Sequence, residues 1–159
     1  MDDGEDELDR FRAAFAEATG EPPPEDAFAF GDSPTMQDEL AALVVAGRKR
    51  ATAALLADLA HRGDTAPEPG QLAIVLDGSA APVCVVRTTE VAVGPFRAVD
   101  ARFAWDEGEG DRSLAYWVDV HRRFFTGRCR ALGIPFSEEL PVVFERFEVA
   151  WLPGGSRGQ

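Results

Sequence analysis

One lysine stands in a chain whose other fifteen basic side chains are all arginine, in the stretch Gly47-Arg48-Lys49-Arg50-Ala51-Thr52. Arginine is always charged, whereas a lysine can be neutralised by burial and then act as a base or nucleophile. Thr52 follows three residues later, so a hydroxyl and a potential activating amine lie close in sequence, the pairing that nucleophilic catalysis needs. Each residue also has a plainer use. A lone lysine can be a solvated charge at a helix end, and a threonine at a helix start satisfies orphan backbone amides. For Thr52 the two uses are compatible, because a helix N-terminus also favours a developing negative charge. Glu90 closes the β-branched run that ends Val85-Val86-Arg87-Thr88-Thr89 and delivers a carboxylate near a strand end; a solvated strand-terminal charge is its plain reading. His121 falls among apolar positions and reads as a hydrogen-bonded core histidine rather than a catalytic one.

The segment Asp106-Glu107-Gly108-Glu109-Gly110-Asp111-Arg112-Ser113 is an acidic loop spaced by glycine. Its oxygens suggest calcium or magnesium, but the alternating acids and terminal glutamate of a calcium-binding hand are missing. No metal or other cofactor is expected. The better reading is an ordered loop in which Asp111 or Ser113 caps the following helix.

The elements that must position these residues follow from periodicity. Leu8, Phe11, Ala14, Phe15 and Ala18 predict a helix over 5–18, ended by Gly20 and the stiff Pro22-Pro23-Pro24 connector. Ala27–Phe30 suggests a short edge strand. Asp32 or Ser33, followed by Pro34, predicts a helix start, and Gly47 its left-handed end. A second helix is expected from Thr52 through Ala60. Strands are expected at 72–76 and 82–91 around an Asp77-Gly78 turn. A short helix over 96–105, a long one from Leu114 to about Gly133, and a closing strand over 141–151 complete the chain. Helices, then strands, a helical insertion and a last strand predict an α+β fold with a mixed, mostly antiparallel curved sheet, more barrel than doubly wound.

At 159 residues, with 45% hydrophobic and 28% charged residues, the chain suits one domain with a real core. No apolar stretch approaches the roughly 20 residues needed to span a membrane. The acidic start and two cysteines without metal-ligand spacing, Cys84 and Cys129, point to a cytoplasmic protein with free thiols. Of the net charge of −12, residues 1–26 contribute −8 and the rest only −4. That disfavours broad non-specific duplex binding, which needs a basic face, but leaves room for a small nucleic-acid or nucleoside pocket. Three segments are expected: an acidic N-terminal helix with its connector (1–26), the main domain (27–152) and a flexible tail (153–159).

Four segments taken in order resemble the ASCH domain family, in its bacterial single-domain branch. They are Gly31-Asp32-Ser33-Pro34, Gly47–Ala53, Thr88-Thr89-Glu90-Val91 and Glu107–Trp117. The resemblance covers roughly residues 27–152. It implies a PUA-like small β-barrel flanked by helices, with a cleft associated with RNA or modified nucleosides. Some members are hydrolases: small relatives deacetylate acetylcytidine, others cleave RNA. In the deacetylating relatives a lysine, a threonine three residues later and a strand-end glutamate carry the reaction, which matches Lys49, Thr52 and Glu90. This chain is longer than those relatives, and its acidic loop and the helix bearing Trp117 could reshape the cleft.

Two functions from different classes follow. One is an amidohydrolase for acylated nucleosides, with Thr52 attacking, a neutral Lys49 as base, Glu90 positioning Lys49 or protonating the leaving amine, and helix amides stabilising the oxyanion. Ser33, Arg50, Asp111, Arg112, Ser113 and Trp117 are candidates to line the cleft. The alternative is a non-catalytic RNA or nucleotide-binding module, with Trp117, Trp105 or Tyr116 stacking bases and Arg50 and Arg112 meeting phosphate; an RNA-cleaving enzyme would use the same cleft. The partner in every case is RNA or a small nucleoside ligand, not a membrane. Oligomeric state is not legible.

Overall fold

The computed structural model describes residues 3–154; the tail expected at 153–159 falls outside the described residues from 155 onward. In chain order the elements are α1 (Asp3–Thr19), β1 (Ala27–Phe28), α2 (Pro34–Val45), β2 (Ala51–Leu55), α3 (Leu56–His61), β3 (Leu72–Leu76), β4 (Pro82–Pro95), a 3-10 turn (Phe96–Ala98), α4 (Ala101–Glu107), α5 (Leu114–Leu132) and β5 (Pro141–Trp151). The strands form one mixed five-stranded sheet in the order β1-β3-β4-β5-β2. β1 runs parallel to β3, while β3–β4 and β2–β5 are antiparallel. With the flanking helices this is the α+β class that the element pattern predicts.

The chain clusters into two compact units. One comprises Met1–Gly47, Gly70–Arg87 and Glu148–Gln159, and the other Arg48–Pro69 with Thr88–Phe147. In the first unit, α1 turns Phe11 and Phe15 inward against Ile74 and Val85. The Trp151 ring meets both phenylalanines edge-on, at 5.2 and 5.6 Å between centroids. Such edge-to-face pairs add about 0.5–1.5 kcal/mol beyond area burial. Arg12 fastens α1 to the proline connector, its Nε and Nη2 donating to Pro24 O at 3.0 Å and Glu25 O at 2.9 Å. α2 starts as its sequence dictates: Ser33 Oγ accepts from Met36 N at 3.2 Å, and Pro34 fills the first turn.

The second unit has its own core of Ala51, Leu55, Phe96, Phe103, Ala104, Trp117, Phe125, Cys129 and Val142. Here one expectation fails. Residues 51–55 form a strand, not the start of a helix, and only 56–61 are helical. Alanine-rich sequence has helical propensity, but Ala51–Leu55 pairs residue by residue with Arg146–Val142 of β5, and this tertiary pairing overrides a weak local preference. Thr52 is therefore a mid-strand residue opposite Glu145, with no helix N-terminus to supply oxyanion amides. The helix expected over 96–105 is split instead: Val99 breaks it, and Asp100 Oδ1 caps α4 by accepting from Phe103 N at 2.8 Å.

Candidate functional site

Among the described residues, a buried ionic cluster forms in the second unit, around Lys49. The backbone at Arg50 is held between two elements, with Arg50 N donating to Asp106 O at 2.7 Å and Phe147 N donating to Arg50 O at 3.0 Å. This fixes Lys49 pointing inward, 2% exposed. Its Nζ donates to Glu107 Oε1 and Glu109 Oε2, each at 2.8 Å, and to Ala51 O at 2.9 Å. Glu107, also 2% exposed, accepts at its other oxygen from Trp117 Nε1 at 2.9 Å. His121 Nε2 lies 3.3 Å from that same oxygen. The imidazole stacks on the Trp117 ring at 3.9 Å and contacts Trp117 O through Nδ1 at 2.9 Å. His121 is thus hydrogen-bonded and partly buried, its side chain 13% exposed.

The loop between α4 and α5 delivers the carboxylates. Gly108 ends α4 with φ +75°, and a Cβ there would lie 2.3 Å from Arg48 O. Gly110 has φ +59°, and a Cβ there would enter the Tyr116 ring. The two glycines let the loop close against residues 48–49 and the first turn of α5, which other residues would prevent. Ser113 caps α5, its Oγ accepting from Tyr116 N at 3.0 Å, while Asp111 Oδ1 accepts from Ser113 N at 2.8 Å. Asp111 and Ser113 thus order the loop.

Electrostatics follow from this packing. Burial pulls the Lys49 ammonium toward neutrality, but the charges and hydrogen bonds of Glu107 and Glu109 outweigh it and hold the pKa above its usual 10.5. The neutral lysine base expected for amide hydrolysis runs against this arrangement, in which two carboxylates at 2.8 Å favour the charged ammonium. Burial pushes Glu107 up, but Lys49 and His121 together hold it far below the ordinary carboxylate range. Glu109 is raised from its ordinary value, because burial and the neighbouring Glu107 outweigh Lys49.

Two arginines flank the cluster. Arg48 clasps the loop, its Nε donating to Gly108 O at 3.0 Å and its Nη2 to Gly110 O at 3.1 Å. Arg112 adopts a left-handed backbone, φ +65°, a strained conformation for a non-glycine residue that persists only where surroundings impose it. Its guanidinium lies 3.8 Å over the ring of Trp105 and donates to Trp105 O at 2.9 Å and Arg48 O at 3.4 Å. Trp105 is 53% exposed.

Other candidates lie elsewhere. Glu90, expected to position Lys49, instead accepts from Arg146 Nη1 at 3.3 Å. It ends a surface chain in which Asp106 accepts from both Arg146 and Arg50, each at 3.0 Å. Arg50 is thus already ion-paired. Trp117 is buried at 2% exposure and packs in the core, so it is closed to base stacking. Ser33 serves as the α2 cap in the other unit. Glu107, Glu109 and Arg48 are the residues that sequence reasoning passed over. An acid–hydroxyl pair joins distant parts of this unit: Thr88 Oγ1 donates to Glu145 Oε2 at 2.8 Å, and burial raises the Glu145 pKa against that bond. A cavity of about 260 Å³ opens between β4 at Ala92–Gly94 and Phe103, Phe144 and Arg146. Among the described residues no group of three or more His, Cys, Asp or Glu side chains could hold a metal ion, and no helix is long and apolar enough to cross a membrane.

Comparison with known proteins agrees with the fold. No curated protein matches the sequence. The crystal structure of a protein from Enterococcus faecalis V583 is 33% identical, covers 97% of both chains and superposes with a TM-score of 0.83. The structure of an ASCH domain from Lactobacillus crispatus JV V101 is 30% identical over 92% of both chains, with a TM-score of 0.76. The family model for the ASCH domain matches residues 26–150. With its mixed five-stranded sheet and flanking helices, this PUA-like chain belongs to the ASCH domain family.

Proposed function

We propose that this ASCH domain binds single-stranded RNA or a nucleotide, without hydrolysing it, through the face formed by Arg48, Arg112 and Trp105. The observation that carries the reading is a charge left over. Among the described residues Arg48 and Arg112 donate only to backbone carbonyls and form no ion pair, in a chain of net charge −12. Burial, followed by the like charges of Arg48 and Arg50, lowers the Arg112 pKa, with Asp106 opposing. A phosphate brought to this face relieves that repulsion and accepts the donors that face solvent. Trp105 has one face under Arg112 and more than half its surface open, which suits base stacking on an unpaired strand.

Amide hydrolysis is less well supported, because it asks Lys49 to surrender a proton that two carboxylates hold. The test is fluorescence anisotropy with a labelled single-stranded RNA oligonucleotide at several salt concentrations, wild type beside the Arg48→Ala/Arg112→Ala double variant. Removing two phosphate contacts should flatten the log–log salt slope by about 1.4, at roughly 0.7 per contact for single strands. Equal affinity and equal slope in both proteins would refute the reading.

A further inference from the structure

Most arginines of the second unit are engaged by carboxylates. Arg50, Arg122, Arg128 and Arg146 each form an ion pair at 3.0 Å or closer. Arg48 and Arg112 are used differently. Among the described residues each donates through Nε and Nη2 to backbone carbonyls, and the Nη1 amino group of each has no acceptor. Asp106, the carboxylate whose charge acts on Arg112, is itself shared between Arg50 and Arg146.

The two side chains converge on one backbone contact. Arg112 Nη2 donates to Arg48 O at 3.4 Å, and Arg48 Nε donates to Gly108 O at 3.0 Å. Gly108 in turn packs so tightly on Arg48 that a Cβ there would lie 2.3 Å from Arg48 O. The guanidinium groups are therefore neighbours, pinned by the glycine-spaced loop rather than by acids. Burial lowers the Arg112 pKa, and the like charges of Arg48 and Arg50 lower it further against Asp106. Two adjoining cations without an ion-paired carboxylate suit a compact anion of matching charge. In a chain of net charge −12 they form an isolated pair. An interior run of strand carries one charge per nucleotide and gains its affinity from many phosphate contacts in series.

We propose that the Arg48–Arg112 pair holds a terminal phosphate monoester, at a phosphorylated strand end or on a mononucleotide, in preference to an internal phosphodiester. This rests on the RNA- or nucleotide-binding reading above and deepens it. An internal phosphodiester brings a single charge to the pair. A phosphate monoester brings about −1.5 to −2 at pH 7 and three acceptor oxygens, which matches two guanidinium groups that each have Nη1 to offer. Trp105 suits the same end of a strand. Arg112 lies 3.8 Å over one side of its indole, which is 53% exposed. A terminal base stacked on the other side keeps its own phosphate beside the same guanidinium.

The experiment measures anisotropy of one internally labelled RNA oligonucleotide carrying a 5′-phosphate, a 3′-phosphate or hydroxyls at both ends. Calorimetry titrates 5′-adenosine monophosphate beside adenosine. A phosphorylated form should bind roughly 10-fold or more tightly than its hydroxyl counterpart, on the scale of one added charge-assisted hydrogen bond. A strand that binds more tightly than the mononucleotide names the strand end as the ligand, and the reverse order names the free nucleotide. The preference should shrink severalfold as the pH falls from about 7.5 to about 5, through the second phosphate ionisation near 6. Taking the ratio of two probes on one protein removes titration of the protein that both probes share. Arg112→Gln, with folding checked by circular dichroism, should lose most of the preference. Equal affinity for all three strands, with no preference for the monophosphate over adenosine, would overturn the proposal while leaving RNA binding intact. Binding of no strand and no nucleotide would overturn both. A preference unchanged at the lower pH, or unchanged in folded Arg112→Gln, would also overturn the proposal.

Discussion

Replacing Lys49 by methionine removes the lysine cation from a buried cluster and leaves Glu107, 2% exposed, with Trp117 Nε1, His121 and the like charge of Glu109 as its neighbours. Methionine keeps much of the lysine's volume, so the change is mainly one of charge. Breaking a buried ion pair by deleting one partner costs about 3–5 kcal/mol, because the remaining charge is stranded in a poorly solvating interior. That is a large share of the 5–15 kcal/mol that holds a typical domain together. It should lower the thermal midpoint by roughly 6–20 °C, at about 2–4 °C per kcal/mol for a chain of this size. Urea unfolding at pH 7, followed by tryptophan fluorescence and circular dichroism, reads the loss through the shift in midpoint at constant slope. The double variant Lys49→Met/Glu107→Gln is the decisive partner, since glutamine still accepts from Trp117 Nε1 without a charge. It should be more stable than Lys49→Met alone, with a coupling of at least about 1 kcal/mol between the sites. A single-variant loss below about 1 kcal/mol, typical of an exposed pair, together with additive effects, would refute the buried-cluster account.

Acidity should modulate that loss. In Lys49→Met the stranded Glu107 is relieved by taking up a proton, so the gap to wild type should shrink as the pH falls toward and below 4.5, the ordinary glutamate value. At the alkaline end Lys49, raised above 10.5, contributes fully below that pH and its contribution is lost only as the pH climbs through the higher folded value; urea midpoints from pH 3 to 11 that run parallel for the two proteins would contradict both statements. Gly108→Ala should destabilise by more than about 2 kcal/mol, because φ is +75° and the new Cβ would lie 2.3 Å from Arg48 O. Gly127→Ala, inside α5 with nothing within 4 Å of its Cβ, should instead stabilise by about 0.5–1 kcal/mol in the same assay.

Much of the frame is local and so was legible in the residues. Ser33-Pro34 and Ser113 start helices because a short oxygen and a fixed φ do that wherever they occur. Leu72–Leu76, Pro82 onward and Pro141–Trp151 read as strands from their β-branched runs. Phe11 and Phe15 sit at helical spacing, and α1 uses them as core. The single lysine was also visible as an anomaly of type, and it is buried between Glu107 and Glu109. Four ordered segments were specific enough to indicate the family that the model over 26–150 establishes.

Tertiary structure decided the rest. The strand over 51–55 exists because β5 offers it a register, and no propensity in Ala51-Thr52-Ala53-Ala54-Leu55 announces that. Which carboxylate meets Lys49 was equally hidden. Glu90, Glu107 and Glu109 are all acids beside β-branched or glycine-rich sequence, and only the closure of the loop between α4 and α5 brings the last two within 2.8 Å across 58 and 60 residues. The pKa of Lys49 follows from that meeting: residue type allows a neutral or a charged amine, burial lowers the pKa, and the charges and hydrogen bonds of Glu107 and Glu109 raise it above the ordinary value. Chemistry was available in the residue types; which carboxylates surround Lys49 comes from contacts between residues far apart in the chain.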